Sequence, residues 1–220
     1  MSDFTPPDCV ALLQTLVQFQ TVNAPGNEGQ CIAYIRDLLN NAGVETQIVA
    51  SNADRPNLIA RFRGQANTSP LLIYGHVDVV TVEQQQWEHS PFSGDINDGY
   101  VWGRGALDMK GGVAMMLSAL LRAKREQIPL AGDVIFAALS DEEQGGTFGA
   151  KYLVQEHASL FKDVKHAIGE FGGFTQYIGG KRIYPIQIAE KRPCRIRATI
   201  RGAGGHGSTY VANNTMMHLG

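Results

Sequence analysis

The sequence predicts an α/β layered domain with a largely parallel sheet. Two observations carry this: stretches of helical periodicity alternate with short apolar runs, and acidic or histidine clusters fall at the ends of those runs. Open α/β sheets place their sites at such strand ends. A composition of 44% hydrophobic and 18% charged residues, with 25 glycines, supplies ample core material in a loop-punctuated chain.

The elements follow in order. Between Asp8 and Gln20, Val10, Leu13, Leu16 and Val17 recur at helical spacing, with Asp8 placed to cap the helix after Pro6 and Pro7. A second helix fits Glu28 to Asn41, with Ile32, Ile35, Leu38 and Leu39 inward and Gly43 as its stop. Strands are expected over 45–50, 57–63 and 70–74. The last contains Leu71-Leu72-Ile73-Tyr74, apolar throughout as in a central strand covered on both faces, and runs into Gly75-His76-Val77-Asp78. Residues 110–125 read as a helix, with Val113, Met116, Leu117, Leu120 and Leu121 on one side. Another buried strand, 134–139, ends at Ser140-Asp141-Glu142-Glu143, and a helix over 147–156 and a strand over 166–169 lead to Glu170. From Arg182 the texture changes: 183–189 and 194–201 alternate as strands do and close on Gly202-Ala203-Gly204-Gly205-His206-Gly207. A domain boundary is therefore expected near 180–190, with too few residues after it for an independent domain.

Composition excludes several functions. A net charge of −2 with no run of Lys or Arg argues against a nucleic-acid partner. No apolar run approaches the roughly 18–20 residues of a membrane span. The opening MSDFTPPDCV lacks a positive region followed by an apolar stretch, so the expected address is the cytoplasm. Cys9, Cys31 and Cys194 are scattered and odd in number, which favours reduced thiols over a disulfide framework and removes thiolates as the obvious metal ligands.

The chemistry lies in three clusters. His76 and Asp78 are two apart at a strand end, so imidazole and carboxylate share a face, and Asp78 can hold the second nitrogen of a metal-bound His76. A turn-forming Asp beside a hydrogen-bonded His would be a plainer role for the pair. Asp108 sits just before a helix, where it could be an N-cap, but glycines crowd both of its flanks. Glu142 and Glu143 are adjacent carboxylates after a buried strand, which repel each other unless a dication compensates them; otherwise they form an exposed acidic turn. Glu170 offers a further oxygen. Together these make a His/Asp/Glu set without sulfur, suited to zinc and also to manganese or cobalt. Two ions about 3.5–4 Å apart, bridged by a carboxylate, are a recurring hydrolase arrangement.

The runs Gly75-His76-Val77-Asp78-Val79-Val80, Gly103-Arg104-Gly105-Ala106-Leu107-Asp108-Met109-Lys110-Gly111-Gly112 and Ser140-Asp141-Glu142-Glu143 resemble the co-catalytic zinc peptidases and deacylases. That family includes carboxypeptidase G, aminoacylase, acetylornithine deacetylase and succinyl-diaminopimelate desuccinylase, and the similarity runs from near residue 8 to near residue 209. The resemblance implies a zinc-exopeptidase-like fold: a mixed, largely parallel central sheet flanked by helices over 1–185, then the start of a smaller α+β lid or dimerisation domain over 186–220. It implies two zinc ions, with cobalt or manganese as substitutes. His76 and Glu170 would ligate one, Glu143 the other, and Asp108 would bridge them beside a cis peptide at Asp108–Met109. Glu142 would be the general base, Asp78 would orient His76, and His206 would reach a partner subunit's oxyanion in a homodimer. Two features depart from the family pattern. Thr209-Tyr210-Val211 stands where a proline turn usually follows, and the family's last metal histidine comes from a C-terminal segment not found before Gly220; His218 is not expected to replace it. The chain thus reads as the N-terminal half of a longer protein.

The expected function is metal-dependent hydrolysis of an amide or peptide bond through a metal-bridged water, on a small peptide or N-acyl amino acid. The alternative is an inactive metal-binding or dimerising fragment of such an enzyme. A purely structural module would have no use for Glu142 beside Glu143.

Overall fold

A computed structural model describes residues 4–65, 68–170, 175–186, 188–189 and 196–202. The chain divides into two compact units, Met1–Gly172 and Gly173–Gly220.

The first unit carries helices α1 (Cys9–Gln18), α2 (Gly29–Asn41), α3 (Lys110–Arg125) and α4 (Ala150–Glu156). Its strands are β1 (Thr46–Val49), β2 (Asn57–Phe62), β3 (Leu71–His76), β4 (Ile96–Asn97), β5 (Tyr100–Val101), β6 (Val134–Leu139) and β7 (His166–Ile168). Asp8 caps α1 as expected, its carboxylate accepting the Ala11 N–H at 2.8 Å. The inward stripe of α1 is rotated slightly from the expected one: Leu12, Leu16 and Val17 are buried, and Val10 is exposed.

Five strands form a mixed sheet in the order β1-β2-β6-β3-β7, flanked by helices. The β1–β2 and β2–β6 pairs are antiparallel; β3 runs parallel to both β6 and β7. Alternation along β6 builds two cores. Val134, Phe136 and Ala138 join the helices α1, α2 and α3 on one face, and Ile135, Ala137 and Leu139 meet Leu153 of α4 on the other. The fully buried central strand is therefore β6; β3 is covered on both faces as its sequence suggested, Leu71 and Ile73 by the first core and Leu72 by the second, but less completely. Its residues 71–73 are half-buried and Tyr74 is 37% exposed, because its outer neighbour is the short, exposed β7. The crossover from β3 to β6 passes through α3 on one face, and that from β6 to β7 through α4 on the other. Winding therefore reverses at β3 and β6, and a crevice forms outside their carboxyl ends.

In the second unit β8 (Gln176–Ile178) and β9 (Lys181–Ile183) form a hairpin. Its two-residue turn is Gly179-Gly180, both at positive φ, as tight hairpins require. Of the strands expected over 183–189 and 194–201, Ile183 closes β9, the described residues 184–186, 188–189 and 196–201 have no regular structure, and 187, 194 and 195 lie outside the described residues. A strand needs a partner ladder, and among the described residues none pairs with the stretch after Ile183. Cys9 and Cys31 are free thiols on helices, Cys31 buried. Cys194, His206 and His218 lie outside the described residues. No helix among those described is long and apolar enough to cross a membrane.

Phe136 is wholly buried in the central strand. Phe136→Ala should lower the unfolding free energy by about 3–5 kcal/mol, measured by denaturant titration.

Candidate metal centre

All the candidate side chains but Asp108 follow or close a strand of the five-stranded sheet. His76 closes β3 and is buried. Asp141, Glu142 and Glu143 follow β6, where Asp141 takes a left-handed conformation and a single 3-10 turn begins. Glu170 follows β7, and Asp108 lies two residues before Lys110, the first residue of α3.

Asp108 does not cap α3. The cap position is Met109, with no side-chain capping bond, and the Asp108–Met109 peptide is cis. The Asp108 carboxylate turns instead to His76, with Oδ1 3.0 Å from Nε2. Glu142 Oε2 and Glu170 Oε2 lie 3.8 and 3.9 Å from the same nitrogen. Among the described residues, His76, Asp108 and Glu170 offer ligand atoms that all fall within 4.8 Å of one another. Bonds of about 2.0–2.1 Å in a tetrahedral site put ligand atoms roughly 3.4 Å apart, so this spacing suits a first-row dication. Glu143 stands outside that trio, half-buried on the same turn as Glu142.

Asp78 does more than its expected task. The nearest partner of His76 Nδ1 is the Asp78 main-chain carbonyl at 2.9 Å, with carboxylate Oδ1 at 3.4 Å. The carboxylate also accepts the Glu142 N–H at Oδ1 and the Glu143 N–H at Oδ2, each at 3.1 Å, and the Asn23 amide at 2.8 Å. It thus ties the end of β3 to the turn after β6.

The electrostatics follow from this crowding. Burial would raise the Asp78 pKa, but His76, Asn23 and the Glu142 N–H hold it below the usual carboxylate range. Burial would lower that of His76, and Asp78 and Glu142 reverse this, pushing it up to about 9. Glu170 is pushed up to about 7 by partial burial and then by its contact with Asp108, and burial and Asp108 also raise Glu143. A carboxylate such as Glu170, crowded until it holds a proton near neutrality, suits a divalent cation, which would take the proton's place.

The reading of the sequence missed the buried polar residues behind the site. Thr21, Asn23, Glu28, Arg55, Lys110 and Asp141 are all buried. Asp141 and Lys110 lie inside the motifs that drew attention, but Asn23, Glu28 and Arg55 carried no local signal beyond the turn residues Asn23-Ala24-Pro25-Gly26. Lys110 donates from Nζ to the Phe19 carbonyl at 2.6 Å.

A doubly wound sheet with a His/Asp/Glu cluster at its switch point defines a metallo-hydrolase type of centre. Residues 72–199 match the profile of peptidase family M20/M25/M40. The chain belongs to that family, whose members are metallo-hydrolases of amide and peptide bonds. A succinyl-diaminopimelate desuccinylase of Methylorubrum extorquens is 34% identical over 219 residues, covering 94% of this chain and 52% of the relative. The chain thus spans about half the length of the curated relatives it matches. The M20 family metallo-carboxypeptidase Sso-CP2 of Sulfolobus solfataricus superposes with TM-score 0.65 at 23% identity, over 76% of this chain and 38% of that one. The Bacillus subtilis YXEP protein, a dinuclear metal-binding peptidase of the same family, superposes with TM-score 0.54 at 19% identity, over 73% and 41%.

Asp78→Asn should weaken cation binding by about 10–100-fold, measured by competition with a chelator, because the side chain that orients His76 loses its charge. Burial pushes the Lys110 pKa down from 10.5 to about 8. Between those values this lysine binds more protons in the unfolded chain than in the folded one, so the contribution of Lys110 to stability should rise from pH 8 to 10.5, by up to about 3 kcal/mol, against opposite contributions from His76, raised to about 9, and from the buried Cys31 thiol, pushed up to about 12. Chemical unfolding of wild type and Lys110→Met across this window should show the difference in unfolding free energy, wild type minus variant, increasing with pH.

Proposed function

We propose that this chain carries the catalytic part of a metal-dependent hydrolase that cleaves an amide or peptide bond in a small peptide or N-acyl amino acid. The observation that carries the reading is the convergence of His76, Asp108 and Glu170 within ligand distance of one another, with Glu142 beside them. Membership of the family supports it, as does the dinuclear character of the Bacillus subtilis relative.

In this reading His76 and Glu170 would hold one ion and Glu143 a second, with Asp108 a ligand that would serve both. The ions would be two zincs, with cobalt or manganese as substitutes, a choice in keeping with a donor set of imidazole and carboxylate. When bound, they supply Lewis acidity that lowers the pKa of water and polarises the scissile carbonyl. Glu142 is the general base: its carboxylate is 54% exposed at the mouth of the crevice, free to take a proton from water and return it to the leaving amine. Asp78 keeps His76 oriented and fixes the backbone from which Glu142 and Glu143 project. The reading extends to a homodimer in the full-length protein, in which His206 donates to the oxyanion of the partner's site.

Elemental analysis and turnover of N-acyl amino acids and dipeptides with added zinc, cobalt or manganese test the proposal. Glu142→Ala should keep two equivalents of cation and lose turnover by about 10²–10⁴-fold. Glu143→Ala should lose one equivalent. Metal bound by the wild type without any turnover would remove the catalytic half of the reading.

A further inference from the structure

A buried chain of polar residues runs behind the metal centre, and it starts at Arg55. The guanidinium is almost wholly enclosed. Its Nη2 lies 2.8 Å from Glu28 Oε1 and 3.1 Å from Asp141 Oδ1, its Nε donates to Glu28 at 3.1 Å, and its Nη1 donates to the Pro25 carbonyl at 3.3 Å. The Phe148 ring covers it at 5.2 Å. Gly26, at φ +87°, leaves room for the group; a Cβ there would run into the guanidinium.

From Arg55 the chain reaches both halves of the site. Asp141, the residue before Glu142, takes Arg55 and the Asn23 amide on Oδ1 and the Phe148 N–H on Oδ2. Asn23 spends its other amide hydrogen on Asp78 Oδ2. Its backbone N–H bonds the Val79 carbonyl at 2.9 Å, which lays the strap 21–23 along the segment that follows His76. Two carboxylates, Asp78 and Asp141, therefore share one amide, and Arg55 supplies the positive charge that lets them sit together. A planar group with donors on three sides meets this need; a single ammonium does not.

We propose that Arg55, acting through Asp141 and Asn23, is a positioning residue that sets the spacing between His76 and the Glu142–Glu143 turn. The role rests on the metal-centre reading above, since a spacing matters only if an ion spans it. It differs from that of an ordinary core ion pair, because the groups it holds are one residue or one hydrogen bond from the ligands.

Cobalt(II) titration of the full chain tests it, with visible absorption reporting ligand geometry and with circular dichroism and thermal unfolding reporting the fold. Arg55→Ala, still folded, should bind cobalt at least tenfold more weakly with an altered spectrum, and millimolar guanidinium should restore both. Arg55→Lys should recover only part of the loss. Asn23→Ala should reproduce the spectral change, and it decides the matter if Arg55→Ala does not fold. Wild-type affinity and spectrum in folded Asn23→Ala or Arg55→Ala would overturn the positioning role alone. A wild type that takes up no cobalt would overturn both this role and the metal-centre reading.

Discussion

The carboxylate of Asp78 is where the sheet becomes a site. β3 and β6 are neighbours in the sheet, but their carboxyl ends would diverge into separate loops without something to join them. Asp78 leaves β3 two residues after His76 and accepts the main-chain N–H groups of Glu142 and Glu143, so the turn after β6 is held to the end of β3. Because the acceptor is buried and ionised, these bonds are of the strong, charge-assisted kind. The same residue holds the imidazole by its carbonyl and by its carboxylate. Positions of three proposed functional side chains thus depend on one carboxylate.

That carboxylate needs an environment that tolerates its charge. Asn23 answers with an amide, and Arg55 with a guanidinium acting on the neighbouring Asp141. Glu28 then balances Arg55, so opposite charges succeed one another through the interior. Buried charges survive only in such satisfied networks, and the removal of one member strands the others.

Much of this was legible in the sequence and some was not, for identifiable reasons. Elements with a strong period were readable: α3 begins and ends where its apolar stripe says, and Asp8 caps α1. The clusters at strand ends were readable because a histidine or a pair of carboxylates closing an apolar run contributes nothing to the core beneath it. Burial of β3 was overestimated, since an apolar run shows what a strand tolerates and not which neighbour lies beyond it. The alternating stretches after Ile183 have no ladder among their described residues, for a related reason: alternation marks a face, and a strand also needs a partner. Asn23 and Arg55 were invisible because their partners are 55 and 86 positions away, Asp78 and Asp141, and no local pattern encodes such meetings.

The clustering of Asp108, Glu142 and Glu170 around His76 has a consequence beyond catalysis. Crowding by Asp108 helps push Glu170 up to about 7, and a ligand that prefers the folded arrangement stabilises it by mass action. On the proposed metal-centre reading, metal supply therefore becomes a term in the protein's lifetime. When the ion is scarce the native population falls, and proteases that act on opened chains clear the molecule sooner.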